Sequence, residues 1–208
     1  MLRTLSLSLC LAVSALALPP ARADVAQPGD DPQIAQAFDA DQRERAELPR
    51  QTSQDALRSF ARQLALHDAE RRVAVQAALR EQRLRTAADY RKAATIMQHG
   101  QTPADYLIAH ALATIGSTLA PDDRELRWLA AATTDRWLLS RKQPQWYGTQ
   151  PVCDARATPP TCRLDVAETA VSDDERAAAG IAPLEELRRE ADARATKLGA
   201  QLGASKSP

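Results

Sequence analysis

The sequence predicts an all-α fold: a helical bundle or a stack of helical hairpins carrying one disulfide-closed loop. Three observations carry this expectation. Apolar residues recur at helical spacing along most of the chain. Ser, Thr or Asp stands ahead of most of these runs as helix-start chemistry, and brief connections separate them. Strand signals are confined to residues 161–166, beside a cysteine.

Residues 1–23 read as a secretory signal peptide. Arg3 precedes an apolar run over 5–18, and "ARA" at 21–23 is an A-x-A cleavage pattern before Asp24. The run is shorter than the ~20 residues a membrane-spanning helix needs. Cys10 lies within it and lacks the setting of a lipidated cysteine. Residues 24–31 form a flexible lead-in, 32–182 the helical domain, and 183–208 a C-terminal amphipathic helix and tail.

The first helix starts at Asp31 or Pro32 and runs to about Leu48, where Pro49 stops it. The second starts after Ser53 as N-cap and reaches about Arg83, with a break allowed. Its apolar track is Leu57, Phe60, Ala61, Leu64, Val75, Ala78 and Leu79. The third covers 86–99 and ends at Gly100, a residue suited to the C′ position. The fourth opens on "TPAD", with Thr102 as N-cap, Pro103 in the first turn and Asp105 at the positive end of the helix dipole. The fifth opens on "DDRE", where Asp122 and Glu125 can form a capping-box variant, and runs to about Arg141. A short helix follows near 173–179. A last one starts near Pro183 with Leu184, Leu187, Ala191, Ala195, Leu198 and Leu202 on one stripe. The triplet "ADY" at 88–90 and again at 104–106 echoes stacked hairpins, without a tetratricopeptide signature.

Charge excludes some functions. Removing Arg3 and Arg22 leaves 25 basic against 27 acidic residues, a net charge of −2. No excess points to nucleic acid or to an anionic membrane. Two cysteines remain, Cys153 and Cys162, and in an exported chain they are expected to pair across "CDARATPPTC". No histidine lies between or near them, so a zinc site there is disfavoured, and no cofactor is indicated.

The candidate site comes from polar residues in apolar places. Residues 106–120 are apolar on nearly all sides, as a central helix would be, with His110 inside. His110 is expected to be neutral and to hydrogen-bond a neighbouring helix. Asp135 shares its face with Trp128, Ala131, Ala132, Leu138 and Leu139, so its carboxylate must find a partner. Asp68 sits on an apolar track, with Arg71 and Arg72 at i+3 and i+4.

Short connections make helices three, four and five antiparallel neighbours in turn. His99, Tyr106 and Asp135 then share one end of the bundle, with His110 one turn deeper. The least helical stretch, "RKQPQWYGTQPVC" at 141–153, leaves from that end. It either caps the core or folds over a pocket mouth, with Gln145, Tyr147 and Gln150 pointing in. Gly148 permits a tight turn there, and amide side chains suit a polar ligand.

"DQRER" at 41–45, "DR" at 135–136 and "QWYGTQ" at 145–150 together resemble a bacterial family catalogued as domain of unknown function 6624. Its members carry D-Q-x-R, D-R and Q-x-Y-G-T-Q. The likeness covers about Asp39 to Leu187, and "QHG" at 98–100 with the surroundings of His110 is similar to a secreted subgroup. The resemblance implies that Asp41, Gln42, Arg43, Asp135, Arg136, Gln145, Tyr147, Gly148, Thr149 and Gln150 matter, without implying what they do.

Two functions follow as expectations. The first is an exported, periplasmic or secreted, binding protein whose partner is another protein or a small polar ligand. Its binding residues would be Asp41, Arg43, His99, Tyr106, Asp135, Arg136, Gln145, Tyr147 and Gln150. The second is a hydrolase-like enzyme with Asp135 or His99 as general acid/base. Against it, the chain has no G-x-S-x-G, no H-E-x-x-H and no free cysteine nucleophile. A metal held by His99, His110 and Asp135 is disfavoured by the depth difference between the two histidines.

Overall fold

A computed structural model describes residues 29–50 and 53–204. The expected signal peptide and most of the lead-in lie outside the described residues. Among those described, the helices are α1 (Pro32–Ala46), α2 (Gln54–Arg80), α3 (Ala87–Met97), α4 (Pro103–Leu119), α5 (Arg124–Ser140), α6 (Asp173–Ala178) and α7 (Leu184–Ala204). A two-stranded antiparallel sheet, β1 (Val152–Asp154) and β2 (Thr161–Arg163), sits between α5 and α6. The chain is all-α apart from this hairpin, and Cys153 and Cys162 face each other across it as a disulfide.

Local chemistry explains the boundaries. The side chains of Asp31, Ser53, Thr86, Thr102 and Ser172 each accept an N–H from the first turn of the helix they open. Thr86–Asp89, Thr102–Asp105 and Ser172–Glu175 are full capping boxes. In α5 the cap is Asp123 rather than Asp122, because Asp123 Oδ1 reaches both Glu125 N and Leu126 N. Gly100 is needed for a different reason from the one expected. A Cβ on it would sit 2.3 Å from Asp105 Cβ, so the glycine makes room for the capping carboxylate that folds back over it.

The central element is α3, not α4. Ala93, Ala94, Ile96 and Met97 are buried and join Ile34 of α1, Val75 and Ala78 of α2, Leu112 and Ala113 of α4 and Leu129 of α5 in one core. Helix α4 packs chiefly on α3 and α5, and its far side carries Leu107 and Leu119, each more than half exposed. It is therefore not apolar because it is surrounded. Helix α2 is unbroken, but its 27 residues outrun the 15 of α1 that cover it. Leu57, expected on the buried track, is consequently exposed, as are Leu66 and Val73, while Val75 and Ala78 further along are buried. Gly116 lets α4 meet α5 closely: a Cβ there would lie 2.6 Å from Leu126 Cδ2. No helix among the described residues is long and apolar enough to cross a membrane.

Candidate functional site

Asp135 is fully buried on α5 and both its oxygens are committed. Oδ1 accepts the backbone N–H of Trp146 (2.9 Å) and Tyr147 (3.0 Å); Oδ2 accepts the N–H and hydroxyl of Thr149, both at 2.8 Å. One carboxylate thus holds the loop through four donors, which is the partner its apolar surroundings demanded.

The loop is locked from within and from behind as well. Gln145, fully buried, accepts Gln150 N–H at Oε1 (2.8 Å) and donates from Nε2 to Gln150 O (2.9 Å). Its backbone bridges to the segment after β2, through Asp165 O and Ala167 N. Arg176 of α6, also buried, donates to the carbonyls of Trp146 (3.1 Å), Tyr147 (3.2 Å) and Val171 (3.1 Å). Gly148 turns the chain at φ +83°, a conformation that favours glycine. Burial, with the charges of Asp135 and Glu175, raises the Tyr147 phenol above its ordinary range. Gln145 and Gln150 therefore satisfy backbone and neighbouring polar groups instead of facing a pocket. The loop lies directly on Asp135, and the cleft beside it, about 660 Å³, opens on its outer side against Leu187, Arg194 and Lys197 of α7.

The other predicted residues gather around the C-terminal end of α3. Asp41, fully buried on α1, has Oδ1 3.1 Å from His99 Nδ1 and 3.2 Å from Arg45 Nε; its Oδ2 accepts from Gln42 Nε2 at 2.8 Å. Arg45 Nη2 holds both oxygens of Asp68, at 2.9 and 2.8 Å. Arg71 joins Asp68, Asp41 and Glu44. Burial pushes the Asp41 carboxyl up, but His99, Arg45 and Gln42 outweigh it and hold it below the usual range. His99 Nδ1 lies between the Arg45 Nε–H, which donates to it at 3.0 Å, and Asp41 Oδ1 at 3.1 Å. Donor atoms of Asp41, Asp68 and His99 lie within 4.8 Å of one another. The set does not fit a metal ion, because the Arg45 guanidinium already lies among these donors and holds both Asp68 oxygens. Arg43 points off α1 into solvent.

Arg136 is the exception to this pairing. It is half-buried on α5, and it makes no hydrogen bond or ion pair among the described residues; its Nε is buried without an acceptor. Burial lowers the pKa of its guanidinium, the Tyr106 phenol opposes this, and the like charge of Arg45 adds to it. Arg136, Arg45 and Tyr106 are thus electrostatic neighbours beside the His99–Asp41 pair. Arg45 shares Nε between His99 Nδ1 and Asp41, spends Nη2 on Asp68, and keeps Nη1 without a partner among the described residues. His110 is half-buried, and its Nδ1 faces Ala130 O of the neighbouring helix at 3.0 Å.

Sequence reasoning missed Arg45, Arg176 and Gln98. For Arg45 there was a signal: it stands at i+4 from Asp41 on the same helix face, whereas Arg43 does not. For Arg176, on an otherwise exposed short helix, there was none.

Among the described residues, the fold and site together define a helical bundle with a loop stapled by Asp135 and Arg176 and an unpaired, half-buried cation at one end. Compared with known family models, curated proteins and solved structures, the chain matches none. The likeness to domain of unknown function 6624 rests on its three short motifs.

Proposed function

We propose that this chain is an exported binding protein that captures a small anionic ligand at Arg136, with Arg45 and Tyr106 beside it. One observation carries the reading: a half-buried guanidinium with its Nε enclosed has no counter-charge among the described residues, whereas the buried carboxylates of Asp41 and Asp68 nearby are paired. Leaving a charge desolvated and unpaired costs several kcal/mol, roughly, unless a ligand supplies the partner. The signal-like N-terminus and the Cys153–Cys162 disulfide support export. The stapled loop supports binding more than chemistry, since Asp135 has no oxygen left to act as acid or base. Titration calorimetry with acetate, phosphate and sulfate tests the reading. Saturable binding of at least one anion, lost in Arg136→Gln with the melting temperature retained, supports it. A folded wild type that binds none of them sinks it. Export is tested by the mass of the chain recovered outside the cytoplasm, expected to begin at Asp24.

A second reading, a hydrolase-like enzyme, draws on the Asp41–His99 pair. A buried carboxylate lies beside a partly exposed imidazole, and with the Nδ1 proton turned to Asp41 in place of the Arg45 contact, Nε2 would serve as a general base. A hydrolase screen in which wild type turns over substrate and His99→Gln does not would favour it over binding alone.

A further inference from the structure

Two buried side-chain atoms among the described residues have no hydrogen-bond partner: Gln98 Oε1 and Arg136 Nε. One is an acceptor and the other a donor, and of the two only Gln98 lines a surface trough. The trough, of about 230 Å³, runs over α3 between α1 and α5, lined by Phe38, Gln42, Thr95, Gln98, Trp128 and Leu129. The Arg91–Glu125 ion pair (2.7 Å) borders its far end. At the near end, Arg45 stands about one turn beyond Gln42, Arg136 about two turns beyond Leu129, and His99 next to Gln98. The trough therefore leads into the anion site.

We propose that this trough is the specificity subsite of the anion site and that the ligand is the carboxyl end of a short peptide. Its carboxylate lies on Arg136, and the N–H of its penultimate residue donates to Gln98 Oε1. This rests on the reading of Arg136 as an anion site. Three features select the class. Asp41 and Asp68 stand close to Arg45, so a singly charged carboxylate is matched better than a dianion. Gln98 is a neutral acceptor, which suits an amide N–H; an ammonium would call for a carboxylate. Helix geometry puts Gln98 and Arg136 one to two turns apart, roughly 5–11 Å, which two extended residues at about 3.3–3.6 Å each span. Phe38, Trp128 and Leu129 offer apolar walls for small side chains.

The test is calorimetry on the full chain with acetate, N-acetyl-Ala-Ala, and the analogue in which an ester oxygen replaces the penultimate N–H. Wild type is expected to bind the amide about tenfold more tightly than the ester, as for one hydrogen bond to a buried, otherwise unsatisfied acceptor. Gln98→Met should bind both equally, and Arg136→Gln neither. Equal affinity of wild type for amide and ester overturns the proposal, and this comparison needs no variant to fold. If wild type binds acetate but shows no amide preference, only the peptide assignment fails. If it binds phosphate or sulfate but no carboxylate, this inference alone fails; if it binds none of these anions, the anion reading fails with it.

Discussion

Asp135 and Arg176 grip the same loop through opposite backbone groups. The carboxylate takes the N–H groups of Trp146, Tyr147 and Thr149, while the guanidinium donates to the carbonyls of Trp146 and Tyr147. Neither charge touches the other; the polar backbone between them serves both. The loop is thereby fixed to α5 on one side and α6 on the other.

Asp135→Asn should cost about 3–4 kcal/mol, because a neutral amide turns a donor toward backbone donors and weakens the rest. For a chain of this size that is a melting-temperature drop of roughly 6–16 °C. Arg176→Ala should cost about 2–3 kcal/mol. The double variant should lose less than the sum, since the loop can be released only once. Strict additivity in urea unfolding would show that the two grips act independently.

Arg136→Met should behave in the opposite way. Replacing an unpaired, desolvated charge with an apolar side chain of similar length is expected to stabilise the free protein by about 1 kcal/mol, or roughly 2–4 °C. Anion binding is lost at the same time. A variant less stable than wild type would mean that the guanidinium already has a partner in the free protein.

Acid should unfold the α1–α2–α3 junction. Burial raises Asp41 and Glu44, but His99 and Arg45 for the first, and Arg71 and His67 for the second, pull both below their ordinary values. A carboxyl depressed in the folded state contributes stability that is fully present above its unfolded pKa of about 4. That contribution is lost as pH falls from there through the lower folded value. Urea midpoints at pH 7, 5, 4 and 3 should therefore hold to about pH 5 and then fall, and Asp41→Asn should flatten the fall. A wild-type midpoint that rises on acidification would contradict this sign.

The disulfide closes a short loop, with Cys153 and Cys162 nine positions apart. Loop-closure entropy puts its contribution at about 2–3 kcal/mol. Because α7 packs on β2, the Cys153→Ser/Cys162→Ser variant should also expose α7 to protease before the bundle core. Simultaneous cleavage throughout the chain would refute that order.

Much of the helical architecture was legible in the sequence, since caps and periodicity are local. Thr86, Thr102 and Ser172 each stand three residues before the acid that closes their capping boxes, and Asp135 betrayed its burial by the apolar residues around it. The direction in which Gln145 points was not legible. A glutamine suits a ligand and a backbone equally, and the choice depends on where Gln150 returns. The centrality of α3 was hidden for a similar reason: composition reports how apolar α4 is, not which of its sides another helix reaches.

The sequence alone determined the helices, their starts and stops, the cysteine pair and the burial of residue 135, because each depends on neighbours within about a turn. Tertiary structure alone decided that this acid clasps a loop, that Arg45 outranks Arg43, and that Arg136 stands unpaired. Those outcomes depend on which groups from distant segments arrive within hydrogen-bonding reach.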